Sequence, residues 1–145
     1  MSNHTVLCFD HGQKRIGVAV GQAVSGTATP LEIIKARQGK PDWERIRHLV
    51  DEWRPGAFVV GRPLTMDGEI QEATEAAEKF ARQLHGRHPL PLHFADERLS
   101  SYEAQQRLKS SYNIDDHAAQ LILETWFSEN AGDETGATIS RSNET

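Results

Sequence analysis

Three acidic residues at the predicted ends of buried elements are the side chains most able to support chemistry. Asp10 follows the apolar run "VLCF", Glu97 follows "LPLHFAD", and Asp115 lies at the predicted start of the last apolar helix. A carboxylate near the apolar edge of a sheet is costly to desolvate unless a cation or hydrogen bonds compensate its charge. Three carboxylates at one place would repel one another, and a divalent cation is the usual remedy. These acids therefore predict a metal site.

The types of the predicted ligands indicate the metal and the reaction. Hard oxygen ligands without cysteine favour Mg²⁺ or Mn²⁺ over zinc, and the single cysteine, Cys8, lies inside an apolar run. A pair of such ions roughly 3.5 to 4 Å apart activates water and stabilises the leaving oxygen in phosphodiester hydrolysis. The acids therefore predict metal-dependent cleavage of a phosphodiester.

Basic residues after three predicted strands could bind the phosphates of such a substrate. The net charge of −5 arises from 16 basic and 21 acidic residues, so a polyanion has to be met by a local patch. In "HGQKRIG", Gly12 and Gly17 would let a phosphate backbone come close. The predicted phosphate-binding cations are Lys14, Arg15, Arg62 and Arg98.

The same residues also have purely structural interpretations. Asp10 could be a turn residue, and Asp115 or Asp116 could be the N-cap of the last helix. Glu97 could be a solvated partner of Arg98, and the cations after Asp10 could be exposed charges of a hairpin. The position of the three acids at element ends is what favours the metal site.

The elements that must position these residues follow from the apolar pattern. Apolar runs at residues 5–9, 16–20 and 27–34, joined by short connections, predict an antiparallel meander. Helical stripes then alternate with the short runs "AFVVG" and "LPLHFA", which are typical of parallel strands. The order β-β-β-α-β-α-β-α-α predicts an α/β fold with a mixed five-stranded sheet flanked by helices. In such sheets ligands collect beyond the carboxyl ends of parallel strands.

Length and composition predict one domain. With 145 residues, 37% of them hydrophobic, the chain can build a single core, which we expect over residues 1–130. Residues 131–145 lack aromatic side chains and are predicted to be a disordered tail. No apolar run approaches the roughly 18 residues of a membrane span, and "MSNHT" does not look like a signal peptide. We therefore expect a cytoplasmic protein without a membrane partner.

Four motifs, in this order, resemble the YqgF/RuvX family of pre-16S rRNA nucleases related to Holliday junction resolvases. They are "FDHGQKRIGVAVG", "VVGRPLTMDG", "ADERLSS" and "IDDHAAQLIL", and they span about residues 6 to 127. The resemblance implies a ribonuclease H-like fold and metal-dependent cleavage at the 5′ end of 16S rRNA. It also implies that the family's three acids fall on Asp10, Glu97 and Asp115 rather than Asp116, and its basic pair on Lys14 and Arg15.

The predicted function is therefore a nuclease that processes the 5′ end of pre-16S rRNA in ribosome biogenesis. One alternative is a resolvase of branched DNA, which would need two active sites and hence a symmetric dimer. Another is an assembly factor that binds nucleic acid with little or no catalysis. A third is a nucleotide phosphatase or kinase, because an Asp-x-Gly hairpin also begins actin-like ATPase domains. We expect a monomer or a weak homodimer.

Overall fold

The computed structural model describes residues 4–38, 40–64, 67–96 and 114–130, with the backbone alone for residues 114–117. Several predictions fall outside these ranges. They concern Glu97, Arg98, the helix predicted to start near Ser100, and the predicted tail at residues 131–145. Within the described residues, no helix is long and apolar enough to cross a membrane.

A mixed sheet with helices on both faces forms the described part of the chain. The strand order across the sheet is β4-β3-β2-β1-β5-β6. The pairs β4–β3, β3–β2 and β2–β1 are antiparallel, whereas the pairs β1–β5 and β5–β6 are parallel. The elements are β1 (Thr5–His11), β2 (Arg15–Gln22), β3 (Thr27–Arg37), β4 (Lys40–Pro41), α1 (Trp43–Trp53), β5 (Ala57–Arg62), α2 (Glu72–Arg87), β6 (Leu92–Asp96) and α3 (Ile114–Asn130).

The predicted mixed α/β architecture is confirmed, but the predicted strand count is wrong. The sheet has six strands rather than five, because β3 extends to Arg37 and its last residues pair with the two-residue strand β4. Gln38 turns the chain between them with a positive φ of 52°. The segment "ARQGKP" is polar, and two residues are too few for an alternating pattern, so no periodicity marks β4.

Helix α1 is capped at both ends by neighbouring residues. The side chain of Asp42 accepts a hydrogen bond from the backbone N–H of Arg45, which satisfies one of the free donors of the first turn. Ile46 and Leu49 are the buried residues of its apolar face. The helix ends at Trp53, and the following Arg54 has a left-handed backbone and donates its N–H to the carbonyl of Val50 at 2.8 Å.

Helix α2 begins later than its predicted apolar stripe. Ile70 precedes the helix and is 54% exposed, and Ala73 is exposed as well, so neither belongs to the buried face. The hydroxyl of Thr74 donates to the carbonyl of Pro63, which ties the first turn to the loop after β5. The remaining members of the predicted stripe are buried: Ala77, Phe80, Ala81 and Leu84.

The two faces of the sheet carry separate cores. Along β1, Leu7 and Phe9 pack with α1 and α2, while Val6 and Cys8 pack with α3. Because side chains alternate along a strand, Asp10 belongs to the α3 side and His11 to the α2 side. Asp10 and His11 therefore lie on opposite faces of the sheet at the C-terminal end of β1.

Helix α3 packs very closely on β2. A Cβ atom placed on Gly21 would lie 2.8 Å from both Leu123 Cδ2 and Phe127 Cε2. Ala119 and Ile122, earlier along the helix, are buried in the same core as Cys8. This approach requires glycine on β2 and brings the start of α3 to the side of the sheet that carries Asp10.

Candidate active site

The hairpin between β1 and β2 brings Asp10 together with two of the predicted cations. A connection of three residues joins the strands, and Asp10 pairs with Gly17 across the ladder. A cleft of about 220 Å³ is lined by the half-buried Asp10 and by the exposed Lys14 and Arg15. A carboxylate and two cations therefore share one small cleft.

Two glycines shape this cleft: Gly12 permits the tight turn of the hairpin, and Gly17 leaves the space beside Asp10 unfilled. A Cβ atom on Gly12 would lie 2.7 Å from the carbonyl oxygen of Arg15, so the turn has no room for a larger residue. Gly17 lines the cleft opposite Asp10 and has no side chain to fill it. The remaining wall is Ile33 of β3, the strand partner of Gly17.

The side chains of the other two predicted acids, Glu97 and Asp115, lie outside the part of the chain whose side chains are described. Asp115 is the second residue of α3, one helical turn before the buried Ala119. Glu97 directly follows Asp96, the last residue of β6. Among the side chains that the structure describes, no three of histidine, cysteine, aspartate and glutamate form a metal-binding group. The grouping of the three carboxylates stays a prediction.

Arg62 lies at the same end of the sheet as Asp10, where the parallel strands β1 and β5 finish, but it does not line the cleft. It ends β5, and its Nε donates to Glu78 Oε2 of α2 at 2.9 Å. Its guanidinium also lies over the ring of Phe94, 5.8 Å from the centroid. The side chain therefore has an acidic and an aromatic partner on the α2 side, and its predicted contact with phosphate stays a prediction, as does that of Arg98.

Three further cations stand beside the predicted ones, and the sequence analysis missed them. Lys35 pairs in register with Arg15, and Arg37 pairs with Lys40. All three are exposed, and the backbone N–H of Ala36 donates to the carbonyl of Lys14 at 2.9 Å. The signal was present, because "KARQGK" holds three cations directly after the predicted strand at residues 27–34. The exposed cations of this region therefore include residues of β3 and β4 as well as those of the hairpin.

His11 separates the cleft from a second, larger cavity on the α2 side. Its ring packs against Phe80 with a centroid distance of 5.1 Å, and burial lowers the pKa of the imidazole below its ordinary value. The second cavity has a volume of about 560 Å³. His11 and Gln13 line both spaces, so the two cavities are neighbours.

Comparisons with known proteins agree on one family. Residues 4–129 match the family model described as "RuvX: Holliday junction resolvase". A protein of Hydrogenovibrio crunogenus is 52% identical over 122 residues, which cover 83% of this chain and 91% of the relative. A protein of Azotobacter vinelandii is 51% identical over 132 residues, covering 86% and 93%. Both relatives carry the name "Putative pre-16S rRNA nuclease".

Solved structures share the architecture at low sequence identity. Thermus thermophilus RuvC in complex with a Holliday junction substrate aligns with a TM-score of 0.57 and 17% identity, covering 88% of this chain and 96% of that one. The fowlpox virus Holliday junction resolvase aligns with a TM-score of 0.52 and 15% identity, covering 88% and 99%. These likenesses concern the fold, which is the ribonuclease H-like fold of resolvases. With the family model matched from residue 4 to residue 129, the chain belongs to the RuvX family.

Proposed function

We propose that this protein is a metal-dependent nuclease that cleaves structured RNA and processes the 5′ end of pre-16S rRNA. The observation that carries the proposal is the cleft in which Asp10 faces Gly17 beside Lys14 and Arg15. The relatives that are about half identical are named for the same activity. A pre-rRNA substrate would place the protein in the cytoplasm.

The donor set proposed for the metal fits a hard divalent cation. Asp10, Glu97 and Asp115 offer carboxylate oxygens, and the single thiol, Cys8, is buried in the core on the α3 side. These three acids would hold Mg²⁺ or Mn²⁺. When bound, such an ion supplies Lewis-acid activation of water and stabilises negative charge on the phosphate oxygens.

The protein's own residues would position the substrate in this cleft. Lys14 and Arg15 would contact the non-bridging oxygens of the phosphate, with the guanidinium able to form two parallel hydrogen bonds. Gly12 and Gly17 would let the sugar-phosphate backbone come close to Asp10. Arg62 and Arg98 would hold phosphates further along the strand.

A magnesium-dependent cleavage assay with a pre-16S leader RNA tests the proposal. We expect Asp10→Asn to lower cleavage at least about tenfold, because losing a direct metal ligand costs no less than losing an outer-shell partner. Asp51→Asn is the matched control, since Asp51 is an exposed acid of α1 that pairs with Arg47 and does not line the cleft. Full activity of Asp10→Asn would contradict the mechanism.

Cleavage of branched DNA is the second candidate, favoured by the description of the matched family model. A four-way DNA junction in the same assay separates the two substrates. Preferential cleavage of the junction, together with a stable dimer in solution, would favour the resolvase. Binding of RNA without magnesium-dependent turnover would instead favour an assembly factor.

A further inference from the structure

The cavity on the α2 side of His11 is lined by residues that have no role in the proposed cleavage chemistry. This cavity, called the α2 groove below, has a volume of about 560 Å³ and lies between β4, the start of α1 and one face of α2. Pockets of a few hundred cubic ångströms accommodate small organic molecules. The groove adjoins the Asp10 cleft through His11 and Gln13, so a chain held in the cleft could continue into it.

One wall of the α2 groove is made of three rings that pack against one another. Trp43 stacks on Phe80 with a centroid distance of 5.5 Å and an interplanar angle of 12°. His11 packs on Phe80 in turn, and Arg87 lies over Trp43 at 4.3 Å from the ring centroid. Phe80 itself is buried, and the half-buried Trp43 and His11, held by these contacts, give the groove a rigid wall that suits a planar partner.

The rim of the α2 groove is cationic and rich in amides. Lys40 and Lys79 line it and are both exposed, and none of the described residues that line it is acidic. The side chains of Gln13, Gln38 and Gln83 also line it, and each carries both hydrogen-bond donors and an acceptor. Donors and acceptors beside an apolar wall match the edges of a nucleobase, and two ammonium groups match a phosphate.

We infer that the α2 groove binds one unpaired nucleotide of the nucleic acid strand whose scissile phosphate lies in the Asp10 cleft. This inference rests on the proposed function and specifies its substrate as a strand that is single-stranded beside the cut. A base that remains paired in a duplex cannot enter a groove bounded by β4 and α2, whereas an unpaired base can turn out of the strand.

Binding of labelled RNA by the full-length protein tests the inference without relying on cleavage. The probe is a fluorescein-labelled single-stranded RNA of about 12 nucleotides, in the size range of single-strand sites, and a blunt RNA duplex of the same sequence is its comparison. Affinity is measured by fluorescence anisotropy in EDTA, with the integrity of the probe checked on a gel. Circular dichroism and thermal unfolding confirm that each variant is folded.

Two variants alter the α2 groove in different ways. Ala76→Phe fills it without changing charge and is expected to weaken single-strand binding at least about fivefold, the low end for losing one stacked base. Lys79→Gln removes one rim cation and is expected to reduce the salt slope of binding by about 0.7, the value for one phosphate contact on a single strand. Arg82→Gln is the matched control, because Arg82 is an exposed cation of α2 that does not line the groove.

The expected result is a loss with Ala76→Phe and Lys79→Gln on the single strand, little change on the duplex, and less than about a twofold change with Arg82→Gln. Unchanged single-strand affinity in both groove variants would overturn the inference, even if Asp10→Asn abolishes cleavage. Tight binding of adenosine 5′-monophosphate that leaves RNA affinity unchanged would overturn it in favour of a site for free nucleotides. Active Asp10→Asn enzyme would overturn the proposed function and leave this binding comparison intact.

Discussion

At the scale of single residues, the cleft contains opposite charges from residues that are close together in the chain. Asp10 alone would repel a phosphate, but Lys14 and Arg15 line the same cleft and Lys35 lies in register with Arg15. The protein as a whole has a net charge of −5, so these local cations have to attract the polyanion. Their number explains how an acidic protein can bind nucleic acid at one place.

His93 is expected to make stability depend on pH. Burial lowers the pKa of its imidazole, whose ring packs on Trp126 of α3 with a centroid distance of 5.2 Å. The unfolded chain then binds more protons than the folded one, so the free energy of unfolding falls as the pH drops below about 6.5. Urea unfolding at pH 8 and pH 5.5 measures the difference, and His93→Leu is expected to reduce it.

The contribution of His93 is expected to be partial. Burial also lowers the pKa of His88, which His93→Leu leaves in place, so part of the pH dependence should persist. An equal loss of stability at pH 5.5 in the variant and the parent protein would show that protonation of His93 does not oppose folding.

The residues of the cleft were predictable to the extent that they are neighbours in the chain. Asp10, Lys14 and Arg15 belong to one hairpin, so their meeting follows from two strands and a short turn. Arg62 was predicted at the correct strand end, but its ion pair with Glu78 depends on how α2 packs on the sheet. A contact between residues 62 and 78 has no signature in local sequence, because it is made by tertiary packing.

At the scale of elements, the hairpin between β1 and β2 is the part that fixes the cleft. Its connection is so tight that a methyl group on Gly12 would meet the carbonyl oxygen of Arg15. We expect Gly12→Ala to lower the free energy of unfolding by about 1–3 kcal/mol, the usual cost of overpacking. RNA cleavage should fall as well, since the turn carries Lys14 and Arg15. Urea denaturation and the cleavage assay measure the two effects.

Gly86→Ala is the matched substitution in a different environment. Apart from its chain neighbours and the backbone of its own helix, no atom lies within 4 Å of the added Cβ, and Gly86 lies in α2, where alanine is the better helix former. We expect this variant to be as stable as the parent or more stable by up to about 1 kcal/mol. Equal effects of the two substitutions would mean that the turn at Gly12 does not constrain the hairpin.

The elements with strong apolar patterns were the ones that the sequence predicted. The meander of β1 to β3, the parallel strands β5 and β6, and the helices α1 and α3 all follow from runs or stripes of apolar residues. The strand β4 was missed, because two residues between a turn and an N-cap bury little apolar surface. The start of α2 was placed too early, because Ile70 is apolar but lies outside the helix.

At the scale of the whole molecule, the two faces of the sheet give the proposed site its two parts. Asp10 faces α3 and His11 faces α2, so the cleft and the α2 groove lie on opposite faces and meet at one edge. The groove unites residues from β1, the chain around β4, α1 and α2. Residues so far apart in the chain have no common motif, and for this reason the sequence predicted the cleft but not the groove.

The central claim is that Asp10, Glu97 and Asp115 together bind divalent metal at one site. Titration of Mn²⁺ into the full-length protein, followed by calorimetry, measures this directly and does not depend on the choice of nucleic acid substrate. Asp10→Asn, Glu97→Gln and Asp115→Asn are each expected to weaken binding at least about tenfold. Asp116→Asn, which removes the same charge from the adjacent residue, should leave the affinity unchanged. Binding of Mn²⁺ that is equally tight in all four variants and the parent protein would contradict the proposed site.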